Sequence, residues 1–122
     1  MTRIRALVVV SLAGVTATLW PMPASAQAFD AAGTYRTVCS TCHGMDGRGD
    51  GPAAAALNPK PANFANPAFW VNMSDSTLIE AIDKGGHSVG LSPEMPAWGS
   101  MFDVAKTQAL INYIIATFKP KS

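Results

Sequence analysis

The chain has 122 residues, with nine Lys and Arg against eight Asp and Glu and a formal charge of +1. Charge this balanced and this dispersed excludes a nucleic-acid or membrane-surface binder, which needs grouped cations. The length allows one small domain, which hides only a limited share of its surface.

Arg3 and Arg5 form a short positive region, followed by an uncharged, largely apolar run from Ala6 to Leu19. WPMPASAQ comes next, with Ala24 and Ala26 flanking Ser25 in the small-x-small pattern of a signal-peptidase site. This anatomy predicts a secretory signal peptide over residues 1–26, cleaved after Ala26. The apolar run is shorter than the ~20 residues needed to span a bilayer, and Pro21 and Pro23 interrupt it. No stable membrane insertion is expected, and export places the mature domain, residues 27–122, in the periplasm, where thiols are normally oxidised.

Three helices are expected in the mature region. The first covers roughly residues 29–37, on an imperfect stripe of Phe29, Ala32, Tyr35 and Val38, with Gly33 allowing close approach of another helix. A Gly-rich loop follows, then an Ala-rich turn near 53–57, then an extended segment from Asn58 to Pro67 carrying three prolines. The second helix runs from about Asp75 to Lys84, with Ser74 as N-cap and Gly85-Gly86 as the stop. Leu78, Ile79 and Ile82 form its expected buried face. A second long loop spans residues 85–102. The third helix runs from about Val104 to Phe118, with Asp103 as N-cap. Thr107, Leu110, Ile111, Ile114 and Phe118 recur at helical spacing, and Pro120 closes the helix. Loops this long are uncommon in a compact domain unless they wrap or bind something.

The chemistry lies in CSTCH, residues 39–43, which holds both cysteines of the chain. A thioredoxin-like redox pair needs a strand before it, and none is expected here. A structural zinc site needs about four ligands, and beyond the motif the chain offers only His87. The third reading is haem attachment, for which Cys-x-x-Cys-His is the signature. Cys39 and Cys42 then form thioethers with the porphyrin vinyl groups. His43, the next residue, falls beneath the iron and offers a ring nitrogen.

A haem iron bound by one imidazole has a sixth position, and Met, His or an open site there imply different functions. Met45 lies too close to His43 in sequence to reach the opposite face. Met73 and Met101 adjoin helices, where they also suit packing. Met95, in LSPEMPAWG, sits in the second long loop, and Pro96 restricts its backbone. Met95 is the leading candidate, with Met73, Met101 and His87 as alternatives.

These segments together resemble the class I monohaem c-type cytochromes of bacteria. The resemblance rests on Gly33 and Tyr35 ahead of CSTCHG, the GDGP loop, NPKPANF, SDSTLIEAIDKGG, MPAWG and the stretch from Leu110 to Tyr113. It implies an all-α fold, three main helices with long loops wrapped around one covalent haem c. The first and last helices would cross, so that Gly33 and Tyr35 meet Leu110 and Tyr113. It implies His43 and Met95 as axial ligands, and a proline carbonyl, with Pro52 as the candidate, accepting the imidazole proton. Trp70, Phe64, Phe69 and Trp98 would wall the haem from water, and the indole N–H of Trp98 or Trp70 would reach a haem propionate. The implied function is electron transfer rather than catalysis, as a periplasmic shuttle or as the small haem subunit of a dehydrogenase. Its partners would be redox proteins: a dehydrogenase, an oxidase or another cytochrome. The near-neutral charge predicts docking through an apolar rim with modest salt dependence. The competing expectations are an open-site haem protein, gas-binding or peroxidase-like, and a thiol oxidoreductase.

Overall fold

The computed structural model describes residues 28–121. The expected signal peptide and its cleavage point lie outside the described residues. Helices α1 (Ala31–Thr34) and α2 (Ser40–His43) are joined by a π-helical turn, Tyr35–Cys39. The sequence pattern favoured an end near Thr37, but the chain stays helical through His43, so the whole CSTCH motif rides on a helix. Two hydroxyls fold back onto the helix. Thr37 Oγ1 donates to the Gly33 carbonyl at 2.9 Å and Ser40 Oγ to the Arg36 carbonyl at 2.6 Å. The Ser40 amide bonds to the Tyr35 carbonyl, five residues back, which is the wide turn of a π-bulge. Asp30 caps the start, its Oδ1 accepting from the Gly33 amide at 2.8 Å.

After a 3₁₀ turn at Ala54–Ala56 comes α3 (Pro67–Trp70), a helix not expected from the sequence, which starts at the last residue of the segment expected to be extended. Asn66 is its N-cap, accepting from the Ala68 amide at 3.0 Å, and Pro67 opens the first turn. An Asn-Pro start of this kind is a helix signal, because proline at the first helical position lacks only an N–H that would be unpaired anyway. Helices α4 (Asp75–Lys84) and α5 (Val104–Phe118) lie where the sequence placed them. Ser74 Oγ accepts from the Thr77 amide at 3.1 Å and Asp103 Oδ1 from the Lys106 amide at 2.9 Å. That backbone bond, with Lys106 nearby, holds the Asp103 carboxyl below its ordinary pKa. A second 3₁₀ turn, Gly86–Val89, follows α4. The described residues contain no strand, and the fold is all-α.

Helix α5 packs against both α1 and α4. Leu78 and Ile82 of α4 meet Leu110 and Ile111 of α5 and Phe102 in one buried cluster. Ala81, rather than the half-buried Ile79, completes the inner face of α4. Tyr35, Phe64 and Ile114 form a second cluster. The Tyr35 ring lies 5.6 Å from Tyr113 and 4.9 Å from Phe118, centroid to centroid. At Gly33 the atoms nearest a hypothetical Cβ belong to Asp30, so the tightest constraint there is the helix's own cap. Among the described residues no helix is long and apolar enough to cross a membrane.

Candidate cofactor site

Between the helices lies a cavity of about 550 Å³. One wall is a single helical face. Tyr35, Val38, Cys39, Cys42 and His43 line it at positions i, i+3, i+4, i+7 and i+8, the spacing of one apolar stripe. Cys39 and Cys42 are not joined in a disulfide. Burial, reinforced by Cys42 next to it, pushes the Cys39 thiol up to about 11.

The Gly-rich loop fixes the end of this helix. The carbonyls of a helix's last turn lack intrahelical partners. Here the amides of Ala53, Gly51 and Gly49 reach back to the carbonyls of Thr41, Cys42 and His43 at 3.0, 3.1 and 2.8 Å. A Cβ at Gly51 would strike the Ser40 and Thr41 carbonyls, so only glycine permits this approach. The Tyr35 hydroxyl, fully buried, donates to the Gly44 carbonyl at 2.9 Å, and burial pushes its phenol above the ordinary tyrosine value.

The chain then returns beneath His43. The Phe64 amide bonds to the Gly47 carbonyl at 2.7 Å, which brings Ala62 alongside the imidazole. His43 Nδ1 lies 3.1 Å from the Ala62 carbonyl oxygen. A carbonyl only accepts, so Nδ1 carries the proton and Nε2 presents a lone pair. The Phe64 ring stacks on the imidazole, centroids 4.6 Å apart and planes 16° apart. Burial holds the His43 pKa below its ordinary value, opposed by the bond to Ala62, and so favours the neutral ring. The expected acceptor, Pro52, is corrected by this geometry. Pro52 is exposed and is no part of the cavity wall. Its neighbours Gly51 and Ala53 are engaged in capping α2, and the chain needs ten more residues to come round to Nδ1.

The opposite wall comes from α4, α5 and the loop after α4. Of the methionines among the described residues, only Met95 lines the cavity. Met45 and Met101 are exposed, at 59% and 57%, and Met73 packs on the outside of the first core cluster. His87 is exposed and also stands apart from the wall. Met95 is held by its backbone. Its carbonyl accepts from the Gly86 amide at 3.1 Å, and its amide donates to the Ser92 carbonyl at 3.3 Å. Just beyond it the Trp98 and Gly99 amides bond to the Ile82 and Asp83 carbonyls at 2.8 and 3.0 Å, tying the loop to the end of α4. Gly86 is needed for this fit, because a Cβ there would meet the Ser92 carbonyl and, at 3.1 Å, the Met95 Cβ.

Phe64, Phe69 and Trp98 line the cavity as expected of an apolar wall. Trp70 does not. Its Nε1 donates to the Phe64 carbonyl at 2.8 Å, and the Lys119 ammonium sits 5.0 Å from its ring centroid. The Trp98 indole N–H bonds to no described residue, and its ring stacks on Phe102. Among the described residues no three His, Cys, Asp or Glu side chains gather as a metal cluster, which leaves CSTCH without the further ligands a zinc site requires. Two thiols, an imidazole lone pair and a thioether, set in a mostly apolar cavity of several hundred Å³, fit a porphyrin-bound iron instead.

Comparison with known families agrees. Residues 26–114 match the family described as cytochrome c oxidase, cbb3-type, subunit III. The chain belongs to this family. No curated protein is similar enough to match it. Membership makes the protein a cytochrome c domain that works by haem-based electron transfer. The family consists in general of electron carriers rather than enzymes, and its members act with redox partners. Such domains are typically exported or membrane-associated.

Sequence reasoning missed two contributors to this cytochrome c domain's cavity. Ala62 acts through its backbone carbonyl, which no residue type announces. Lys60 lines the cavity wall from the middle of NPKPANF, and its charge within a proline-rich apolar segment was the available signal.

Proposed function

We propose that the protein is an exported monohaem cytochrome c. Cys39 and Cys42 hold one haem c covalently, His43 Nε2 and Met95 Sδ are its axial ligands, and the mature chain begins at Gln27 after signal-peptide removal. The haem supplies a reversible one-electron change at its iron. The observation that carries this reading is that one cavity has Cys39, Cys42 and His43 on its helical wall and Met95 on the loop wall.

Each residue has a separate task. Cys39 and Cys42 would hold the haem through thioethers, an addition of each S–H across a vinyl group that would need no oxidant. The Ala62 carbonyl fixes the His43 tautomer and makes the imidazole a stronger donor. Met95 would supply the second protein ligand, which would disfavour substrate binding at the iron and raise the reduction potential relative to a second imidazole. Phe64, Phe69, Leu78, Ile82 and Leu110 exclude water.

The cavity wall reaches solvent at Pro59, Lys60, Gly90, Pro93, Glu94 and Pro96. One cation and one anion on a proline-rich rim leave little net field there. This supports docking of a redox partner by apolar contact in the periplasm, with association that depends weakly on salt. The protein would serve as a shuttle or as the small haem subunit of a larger redox enzyme.

Absorption spectra of the purified protein in both oxidation states test the reading. A low-spin reduced spectrum is expected, with the weak far-red band of thioether-ligated ferric haem in the oxidised protein. A high-spin spectrum would favour an open-site haem protein, and an absence of visible absorption would favour thiol chemistry.

A further inference from the structure

The cavity wall is apolar except for a few groups, and only one of them is a fixed cation. Lys60 is the sole Lys or Arg lining it among the described residues. Its Nζ lies 3.3 Å from the carbonyl of buried Ala54, which already accepts from the Leu57 amide at 3.2 Å. Lys60 forms no ion pair with any described carboxylate, in contrast to Lys84 with Glu80 and Lys106 with Asp103. Its side chain thus follows the wall toward the mouth and keeps donors to spare, the posture of a lysine whose stem covers apolar surface while its head stays polar.

A haem carries two carboxylates, on the side of the macrocycle away from the vinyl groups that meet the thiols. A carboxylate at an apolar mouth is costly to bury without a countercharge and a hydrogen-bond donor. The wall offers a single acid, Glu94, which would repel it, and a single cation. We infer that Lys60 is the cation that pairs with a haem carboxylate and thereby helps to set the reduction potential, an assignment that rests on the haem reading above. The ammonium exchanges its long bond to Ala54 for a charge-assisted one. Neutralising a carboxylate beside the iron also favours the ferrous form, because less negative charge is left to stabilise the ferric state.

The test uses the mature holoprotein and its variants Lys60→Gln, Lys60→Arg and Lys121→Gln. Lys121 is an exposed cation outside the cavity wall. The readouts are the midpoint potential and the carboxylate stretch in the redox-induced infrared difference spectrum, assigned by isotopic labelling of the haem carboxylates. In Lys60→Gln the carboxylate band is expected to move and the potential to fall, by a several-fold shift of the equilibrium toward ferric iron; tenfold corresponds to ~59 mV for one electron. Lys60→Arg keeps the wild-type band, and Lys121→Gln leaves both readouts unchanged. A band that stays in place in Lys60→Gln overturns the pairing whatever the potential does, as does equal movement in Lys121→Gln. A colourless wild-type protein would overturn the haem reading itself, so the two failures are distinguishable.

Discussion

The double variant Cys39→Ser/Cys42→Ser, purified free of porphyrin, is expected to show no cooperative thermal transition, where the wild-type holoprotein melts as one unit. The cavity explains the size of this effect. Its wall includes core residues of both buried clusters, among them Tyr35, Phe64, Leu78, Ile82 and Leu110. A cavity left in a core costs about 24 cal/mol per Å³, so a volume of about 550 Å³ comes to on the order of 13 kcal/mol. That is an upper bound, because the mouth is open to water. Even a fraction of it is comparable with the net stability of a small domain, about 5–15 kcal/mol. Filling the cavity is therefore expected to supply a large share of the stability. Far-UV circular dichroism on heating reads this out, and a sharp transition in the porphyrin-free chain would show that the helices pack without a filled cavity. Single variants keep one thioether and are expected to melt cooperatively at a lower temperature.

The second large effect is expected at Met95. Met95→Ala should remove the far-red band of the ferric protein and lower the midpoint potential by on the order of 0.1 V, within the ~0.8 V that axial ligands span. Met95→His should also lose the band and lower the potential, while the spectrum stays low-spin. Loss of packing alone would not distinguish the two variants in spin state. Survival of the band in Met95→Ala would assign the sixth position elsewhere, although Met45 and Met101 are exposed and Met73 stands outside the wall.

Legibility from sequence followed the kind of group that does each job. Helices α4 and α5 were readable to the residue because side chains mark their ends: Ser74 and Asp103 as caps, Gly85 and Pro120 beyond. The Cys39–His43 motif and Met95 were readable because each acts through a distinctive atom. The extension of the first helix through His43 was not, since the apolar stripe was followed only as far as Val38, and the Thr37 and Ser40 hydroxyls bond back to their own helix. Helix α3 was missed although Asn66-Pro67 announced it. The imidazole acceptor was misplaced at Pro52 because that assignment came from a family pattern. In this chain the Gly51–Ala53 segment caps α2, and a longer loop delivers the Ala62 carbonyl. Trp70 was expected in the haem wall together with Phe64, Phe69 and Trp98, whereas it lies outside the cavity wall with its indole nitrogen bonded to the Phe64 carbonyl.

The Gly-rich loop and the MPAWG loop share one physical role. Each returns to a helix end and satisfies its last carbonyls through amides, α2 by Gly49, Gly51 and Ala53, and α4 by Trp98 and Gly99. The two proposed ligands thus stand on anchored backbone, His43 at the end of α2 and Met95 in a loop tied to the end of α4, and the His43 ring is further fixed by the Ala62 carbonyl and the Phe64 ring. A small reorganisation on changing oxidation state follows from such holding, which suits electron transfer.

The intact mass of the mature protein after denaturation tests the central claim most directly. The account predicts a chain beginning at Gln27 that is heavier than its amino acids by one haem, with the added mass lost from the peptide only when Cys39 and Cys42 are both replaced. A mass equal to the polypeptide alone would contradict it.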